Sequence, residues 1–309
     1  MLEWYAAPME GLTGWRWRQV QHEMFGGAAL YVTPFVSPNG NFSFQRKELE
    51  ELDPERNRGI PVVPQILTNR AEYFVWAAKE CRSRGWAQID LNLGCPSGTV
   101  TGKNKGAGLL RQPELLRQLL DGIFDALPDM KISVKTRIGW ERAEEWPALL
   151  ALLETYPICR LTVHPRVRTQ FYKGAADREG VRWTALPLCY NGDVTTVRDL
   201  REMGETFPDD AVMVGRGLVA DPSLLRQATG GPAASLEELR EFHDRLYGLY
   251  CRDFSGDVPV LHHMRELWNY FSRSFRETDT LLRQVRKAGD CRAYETAVRQ
   301  FFYDAELSH

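Results

Sequence analysis

A cysteine at the end of a strand-like run is the residue best placed for chemistry in this sequence. The run Asp90-Leu91-Asn92-Leu93 alternates polar and apolar residues, as a half-buried strand does. It stops at Gly94-Cys95-Pro96, because Pro96 has no N–H to donate to a sheet ladder. Four glycines follow within residues 98–108, which predicts a mobile loop that can approach a ligand closely. A thiol here suits a reactive residue, although a lone cysteine is more often a buried structural one.

Polar residues also end most of the other strand-like runs. These ends carry Pro8-Met9-Glu10, Gln65, Lys135 with Arg137, His164-Pro165-Arg166, Asn191-Gly192-Asp193 and Gly215-Arg216-Gly217. In a barrel of parallel strands, catalytic and binding groups lie at the carboxyl ends of the strands. The last two turns offer backbone N–H groups and a guanidinium, so together they predict a phosphate site, although either alone fits an ordinary glycine turn.

Three of these side chains suit a flavin. Lys135 would place an ammonium near the pyrimidine edge of the flavin, where negative charge appears on reduction. Gln65 and Asn92 offer both donors and acceptors, as an isoalloxazine or a uracil edge needs. Each amide alone fits equally well as a hydrogen-bonded core residue, and the sequence leaves that alternative open.

Strand-like runs alternate with helix-period segments through the first 230 residues. We expect strands at 2–7, 30–36, 62–67, 87–93, 132–138, 160–164, 187–190 and 211–214. We expect helices at 15–25, 44–52, 71–84, 113–127, 141–156, 196–203 and 222–228. Eight strands with helical crossovers indicate an α/β protein with a (β/α)8 TIM barrel, and a doubly wound open sheet is the alternative. No GxGxxG motif follows the first strand, which argues against a dinucleotide-binding open sheet.

The alternation ends at Gly230-Gly231-Pro232, which predicts a linker. Ser235, Pro259, Thr278 and Asp290 stand where four amphipathic helices would begin. We therefore expect a catalytic barrel over residues 1–230 and a small all-helical domain over residues 231–309.

The composition narrows the function classes. The 309 residues carry a net charge of −2, so any RNA-binding surface must be a local patch. The six cysteines form no CxxC pair, which argues against a disulfide framework and a zinc site and favours a reducing cytoplasm. We see no signal peptide and no apolar run of transmembrane length, so we expect no membrane partner.

Six motifs taken together resemble the tRNA-dihydrouridine synthases. They are Ala-Pro-Met-Glu-Gly-Leu-Thr at 7–13, Asp-Leu-Asn-Leu-Gly-Cys-Pro at 90–96, Val-Lys-Thr-Arg-Ile-Gly-Trp at 134–140, the segment 164–177, Asn-Gly-Asp at 191–193 and Gly-Arg-Gly at 215–217. The resemblance covers the whole barrel in order and continues into the helical domain. It implies an FMN-dependent barrel that reduces uridine in folded RNA to 5,6-dihydrouridine, with NADPH as the reductant. Among RNA classes, tRNA is the first expectation.

The resemblance also implies roles for individual residues. Cys95 matches the family's catalytic acid, which gives a proton to carbon 5 of uracil when a hydride from flavin N5 reaches carbon 6. A thiol with an ordinary pKa of about 8.5 is protonated at neutral pH, and general acid catalysis contributes about 10²–10⁴-fold. Cofactor contacts are expected for Pro8, Met9, Glu10, Gln65, Asn92, Lys135, His164, Asn191, Gly192, Asp193, Gly215 and Arg216.

On the RNA side, the resemblance makes the helical domain an RNA-binding appendage. The target base must leave its stack to reach a barrel mouth, as in other base-modifying enzymes. Lys103, Lys105, Arg166 and Arg168 are candidates for gripping the flanking phosphates, and they fit equally well as solvated loop charges. We expect RNA as the partner, no metal, and a monomer.

Three positions depart from the family pattern. Gly14 stands where an acidic residue is common, Pro165 where glycine usually follows the histidine, and Arg178 where tryptophan is common. These departures concern the RNA side more than the flavin side. They leave the target uridine open, and also the choice between tRNA and ribosomal RNA.

Three other functions compete with this one. A flavin-dependent dehydrogenase of a free pyrimidine, of the dihydroorotate or dihydropyrimidine type, also places an acid–base residue opposite flavin N5, but it needs no helical appendage. A non-catalytic RNA-binding barrel would have no use for Cys95 and Lys135. A phosphate-binding metabolic barrel would carry no flavin.

Overall fold

Parallel strands and helices alternate along the first three quarters of the chain, and helices dominate the rest. The computed structural model describes residues 2–177, 179–181, 184–276 and 278–308. No helix in these ranges is both long enough and apolar enough to cross a membrane.

The described residues contain one large parallel sheet of nine strand segments. In chain order they are β1 (Glu3–Ala6), β2 (Leu30–Val32), β3 (Val62–Val63), β4 (Gln65–Ile66), β5 (Gln88–Leu93), β6 (Lys131–Gly139), β7 (Arg160–Val167), β8 (Leu188–Tyr190) and β9 (Ala211–Val214). Their hydrogen-bonded order is β3-β2-β1-β9-β8-β7-β6-β5-β4. Because Pro64 alone separates β3 from β4, the two ends of this order meet. The sheet is a TIM barrel, and the predicted fold class is confirmed.

Two prolines explain where the strand bounds differ from the prediction. The run predicted at 62–67 is split at Pro64, which has no N–H but whose carbonyl accepts from Asp90 N at 2.8 Å. The run predicted at 30–36 ends at Val32, two residues before Pro34, and Val36 returns to the sheet as an isolated bridge with Ile66.

The two faces of the barrel wall differ in character. On β5, Ile89, Leu91 and Leu93 are fully buried in the main apolar core, and the intervening Asp90 and Asn92 face the barrel interior, as the period of two in a strand requires. A separate apolar cluster fills the interior beside β1, β2, β8 and β9; it consists of Tyr5, Ala7, Val32, Cys189, Ala211 and Met213. The polar interior residues therefore gather on the side of β4 to β7.

Nine helices of the described residues accompany the barrel. They are α1 (Trp15–Met24), α2 (Arg46–Glu51), α3 (Ala71–Ser83), α4 (Gly98–Thr101), α5 (Pro113–Ala126), α6 (Trp146–Leu153), α7 (Val197–Thr206), α8 (Arg216–Ala220) and α9 (Leu224–Ala228). All seven predicted helices are present with shifted ends, and α4 and α8 were not predicted. Residues 98–108, expected as a mobile loop, instead contain α4 and the start of a 3-10 turn at Gly106–Arg111.

The departure at Gly14 has a structural counterpart. Gly14 precedes α1, and a Cβ built on it would lie 2.8 Å from Glu51 Oε1. That carboxylate accepts from Trp15 N at 3.1 Å and thus satisfies one of the free N–H groups at the start of α1.

Among the residues that the structure describes after 231, four α-helices are present, as predicted. They are α10 (Leu236–Asp253), α11 (Asp257–Phe271), α12 (Asp279–Lys287) and α13 (Cys291–Asp304), and a short antiparallel pair joins β10 (Phe275–Arg276) to β11 (Glu306–Leu307). Ser235 and Asp290 cap α10 and α13 with side-chain acceptors. The second helix begins at Asp257 instead of Pro259, because proline is compatible with the first turn of a helix.

The helical segment packs on the barrel through α1 and α8. The ring of Phe242 lies 6.5 Å from that of Trp17 and 5.8 Å from that of Phe25. Ser274 Oγ donates to the carbonyl of Ala220 at 2.7 Å. These contacts hold α11 over the carboxyl ends of the barrel strands, where it reaches the cavity described next.

Candidate active site

A cavity of about 320 Å³ opens at the carboxyl ends of the barrel strands, a volume in the range of small-molecule sites. It is lined by Ala7, Pro8, Met9, Glu10, Leu12, Pro34, Phe35, Gln65, Asn92, Gly94, Cys95, Pro96, Lys135, Arg137, His164, Tyr172, Asn191, Gly192, Gly215, Arg216, Glu266 and Tyr270. The structure thus brings Cys95 together with every predicted cofactor contact except Asp193.

Lys135 faces this cavity. Among the described residues no group hydrogen-bonds to its ammonium or forms an ion pair with it. Burial lowers the pKa of Lys135 to about 8, Arg137 acts in the same direction, and Asp90 opposes both. The side chain therefore remains largely protonated at neutral pH. An enclosed cation of this kind favours an anionic or electron-rich ligand.

Gln65 and Asn92 are both core amides and cavity residues. Asn92 Nδ2 donates to Gln65 Oε1 at 2.7 Å, and Gln65 is fully buried. Both residues also line the cavity. The structure thus shows the core hydrogen bond and places both amides beside the cavity, and their contact with a flavin stays a prediction.

The turn that carries Cys95 is held from both sides. Asn92 Oδ1 accepts from the backbone N–H groups of Gly94 at 3.1 Å and Cys95 at 2.9 Å, and Ala107 N donates to the Cys95 carbonyl at 3.1 Å. Gly106 has a φ of +56°, and a Cβ there would lie 2.9 Å from the Cys95 carbonyl oxygen. Glycine is thus required for the 3-10 turn to close on Cys95.

The half-buried thiol of Cys95 stays neutral. Burial raises its pKa above the usual value, by more than the Ser97 backbone N–H and Arg137 lower it. A thiol that is protonated at neutral pH can donate a proton but is a poor nucleophile. The environment of Cys95 therefore agrees with the predicted role of an acid.

His164 is a neutral imidazole in this site. Its Nε2 lies 3.0 Å from Arg166 Nη1. A guanidinium can only donate, so Nε2 accepts and the ring proton is on Nδ1. Burial lowers the pKa of His164 well below its usual value, and the neighbouring cations Arg137 and Lys135 act in the same direction.

Asp193 lies behind the lining of the cavity, between two arginines. Its Oδ1 accepts from Arg216 at 2.5 Å and from Arg166 at 3.0 Å, and its Oδ2 accepts from Arg166 as well. A carboxylate offers no donor to a phosphate. The Asp193 carboxylate therefore lies outside the cavity lining and holds Arg216, which lines it, and a contact of Asp193 with a cofactor stays a prediction.

Arg166 does not have the exposure that its predicted RNA contact requires. The side chain is 1% exposed, and its guanidinium also donates to the Gly174 carbonyl at 2.6 Å. Its strand position explains this, because Arg166 follows His164 by two residues on β7 and shares its interior face.

The other three predicted RNA contacts lie outside the lining of the cavity. Lys103 is exposed, and the half-buried Lys105 donates to Ser37 Oγ at 3.1 Å. Arg168 donates to the carbonyl of Pro96, next to Cys95, at 3.1 Å. Lys103 and Arg168 thus stand on the loops that border the Cys95 turn.

Several cavity residues were not predicted, and three of them, Tyr172, Glu266 and Tyr270, carry polar side chains from outside the strand ends. Glu266 and Tyr270 lie one turn apart on α11, and the apolar pattern of that helix identifies its core face but not what its polar face covers. Tyr172 belongs to a segment whose sequence predicted only a loop; its ring lies 5.9 Å from His164 and 4.7 Å from the guanidinium carbon of Arg216. Arg178, noted as a departure from the family pattern, lies outside the described residues.

A family model and relatives of this chain agree on one family. The family model "Dihydrouridine synthase (Dus)" matches residues 5–304. A probable tRNA-dihydrouridine synthase of Rhizobium leguminosarum is 30% identical over 274 residues, which cover 87% of this chain and 84% of that protein. tRNA-dihydrouridine synthase B of Pseudomonas putida is 29% identical over 319 residues, covering 98% and 92%. The old yellow enzyme structure from Trypanosoma cruzi aligns with a TM-score of 0.52 at 10% identity, covering 75% of this chain and 89% of that one, a likeness of fold.

Proposed function

Because this chain belongs to the dihydrouridine synthase family, we propose that it reduces uridine in folded RNA, with tRNA as the first candidate, to 5,6-dihydrouridine. FMN would be the cofactor and NADPH the reductant. The observation that carries the proposal is the cavity, in which two amides, a neutral thiol and a lysine that pairs with none of the described residues meet at the barrel mouth.

The residues of the cavity fit FMN. Lys135 would meet the electron-rich pyrimidine edge of the flavin, and Gln65 would hydrogen-bond the same ring. Arg216 and the backbone at Gly192 would hold the phosphate. A Cβ on Gly192 would lie 2.0 Å from the Tyr190 hydroxyl, so only glycine fits at this position, and its backbone N–H stays accessible. When bound, FMN supplies the hydride for carbon 6 of uracil.

Cys95 would hold the proton for carbon 5 of uracil on its Sγ atom. Its burial keeps that proton in place at neutral pH. Arg137 fixes the turn, because its Nε donates to the Gly94 carbonyl at 3.0 Å and its Nη1 to the Phe171 carbonyl at 2.8 Å. The acid is thus held between two loops at a set place on the cavity wall.

We further propose that residues 1–230 hold FMN and that residues 231–309 bind RNA. Lys103 and Arg168 would contact phosphates beside the target base, whereas the buried Arg166 is withdrawn from that set. Glu10 and Glu266 line the cavity and would repel phosphates, so the RNA backbone is expected on the side of Lys103. The cytoplasmic location and the monomeric state expected from the sequence stay predictions.

The test is nucleoside analysis by mass spectrometry after reaction of the FMN-loaded full-length protein with NADPH and an unmodified tRNA transcript. We expect a product that carries two more hydrogens than uridine. Parallel reactions with ribosomal RNA, uracil and orotate separate the other substrate classes. A protein that binds FMN but reduces only a free pyrimidine would overturn the proposal in favour of a pyrimidine dehydrogenase.

A further inference from the structure

A one-way chain of hydrogen bonds runs along the interior face of the neighbouring strands β4 and β5, beside the cavity. It starts at the backbone N–H groups of Gly94 and Cys95, which donate to Asn92 Oδ1. Asn92 Nδ2 then donates to Gln65 Oε1 at 2.7 Å, and Gln65 Nε2 donates to Asp90 Oδ2 at 2.7 Å. The chain ends on the carboxylate of Asp90.

Both ends determine the direction of this chain. A backbone N–H can only donate, and an ionised carboxylate can only accept. Each of the two amides therefore has one orientation that satisfies both neighbours. The strand register brings the members together, since Gln65 pairs with Asp90 across β4 and β5, and Asn92 follows Asp90 by two residues on the same face.

Asp90 does not line the cavity and cannot touch a ligand there. Its side chain is 3% exposed, and its other oxygen accepts from Ser133 Oγ at 2.7 Å. The charged or titratable groups that interact with it electrostatically are Lys135, Cys159 and Cys189. Burial raises the pKa of Asp90 to about 6, against the opposing hydrogen bonds and Lys135, so the group is ionised at neutral pH.

We propose that Asp90 is a positioning residue of this active site. It is the terminal acceptor that holds the Gln65 amide in one orientation, and through Gln65 and Asn92 it orients the turn that carries Cys95. The significance of this for catalysis rests on the proposed function, but the chain of hydrogen bonds does not.

Three variants distinguish the loss of the hydrogen-bond acceptor at Asp90 from other changes near this residue. Asp90→Ala removes the acceptor and leaves Gln65 Nε2 without a partner. Asp90→Asn restores an acceptor, because its amide oxygen can take the Gln65 N–H while its NH₂ group faces Ser133 Oγ. Ser133→Ala is the matched control, since it removes a partner of the same carboxylate without touching the chain. Circular dichroism checks that each protein is folded, and Asp90→Leu replaces the alanine variant if that one is not.

Two readouts report on the two ends of the chain. The first is the dissociation constant of FMN, titrated into apoprotein by fluorescence. The second is the rate at which iodoacetamide alkylates Cys95 in the apoprotein, followed on the Cys95 peptide by mass spectrometry. We expect Asp90→Ala to weaken FMN binding and to speed alkylation by about tenfold each, since a buried amide is left unpaired. Asp90→Asn and Ser133→Ala should stay within about threefold of the wild type.

Wild-type values for Asp90→Ala in either readout would overturn the proposal. So would an asparagine variant as impaired as the alanine variant, because the charge and not the acceptor would then matter. If the wild-type protein itself does not bind FMN, the proposed function fails, and the alkylation rates alone decide the role of Asp90.

Discussion

Two hydrogen-bond chains, one in the barrel and one among the C-terminal helices, both end on an aspartate but lie in different surroundings. In the helices, Trp268 Nε1 donates to the Tyr294 hydroxyl at 2.8 Å, and that hydroxyl lies 2.6 Å from His243 Nε2. His243 Nδ1 lies 2.8 Å from Asp244 Oδ1. Asp244 accepts from Nδ1–H of the neutral imidazole, so Nε2 accepts the Tyr294 proton, and this chain too ends on an aspartate.

The two chains differ in the exposure of their terminal aspartates and in the groups that border them. The side chain of Asp244 is 54% exposed, so the helical chain ends in solvent, and aromatic rings surround the rest of it. The barrel chain ends on the buried Asp90 and borders Lys135 and Cys95, whose polar ends face a cavity. The helical chain stabilises the fold because packed rings surround it, whereas the barrel chain lies beside a lysine and a thiol that face the cavity at the strand ends and so prepares a place for a ligand. The comparison predicts that variants of the two chains will affect different properties.

The largest effect is expected on turnover, at the end of the barrel chain that carries Cys95. Cys95→Ala should lower the turnover of RNA by about 10²–10⁴-fold and leave FMN binding unchanged, because it removes the acid and not the cofactor contacts. The matched control is Cys251→Ala, which removes an exposed thiol of the helical segment. Single-turnover rates with tRNA measure the effect. Equal rates for the Cys95 variant and the wild type would remove Cys95 from the mechanism.

The next effect concerns two lysines on the same strand. Lys135→Met should weaken FMN binding by about tenfold to a hundredfold, because the cation facing the flavin is lost. Lys131, at the exposed start of β6, is the control, and Lys131→Met should bind FMN like the wild type. Fluorescence titration gives both constants. Indistinguishable constants for the two variants would contradict the placement of the flavin.

In the helical chain the expected effect is on stability. Tyr294→Phe should lower the free energy of unfolding by about 1–3 kcal/mol, since the indole N–H and the imidazole lose their shared partner. FMN affinity should not change. Tyr303→Phe is the control, because Tyr303 is 85% exposed. Urea unfolding measures both, and a Tyr294 variant that lost FMN affinity at full stability would reverse the contrast between the two chains.

A smaller effect is expected on the pH dependence of stability. Burial lowers the pKa of His243 below its ordinary 6.5, although Asp244 raises it and Arg240 lowers it further. The unfolded chain then binds the extra proton first, so this contribution to stability is present above pH 6.5 and is lost as the pH falls. His243→Gln should flatten the decline between pH 6.5 and 5 by up to about 1.4 kcal/mol per pH unit. Parallel curves for variant and wild type would rule out this titration.

The smallest effect is expected at the surface. Lys103→Ala should lower the salt dependence of RNA binding by about 0.7–0.9 in the slope of log K against log salt, which corresponds to one phosphate contact. Arg58→Ala serves as the control, since Arg58 is exposed and paired with Glu55. Filter binding at several salt concentrations gives the slopes, and equal slopes for the two variants would place Lys103 outside the RNA contact.

Much of the fold and of the cavity could be predicted from the sequence, because both follow from periodicity and from strand ends. Cys95 follows the end of β5 and Lys135 lies on the neighbouring strand β6, and a barrel brings such strands together around one interior. The role of Asp193 and the burial of Arg166 could not be predicted, because they depend on which charges meet across β7, β8 and β9. Glu266 could not be predicted either, because the pattern of α11 does not reveal what its polar face covers.

The most direct test of the central claim is the absorbance of the FMN-loaded full-length protein under anaerobic conditions. NADPH is added first, then an unmodified tRNA transcript, and in a parallel sample uracil or orotate. We predict that the flavin band bleaches with NADPH and returns with the transcript but not with the free pyrimidines. A band that returns with a free pyrimidine and not with RNA would contradict the account.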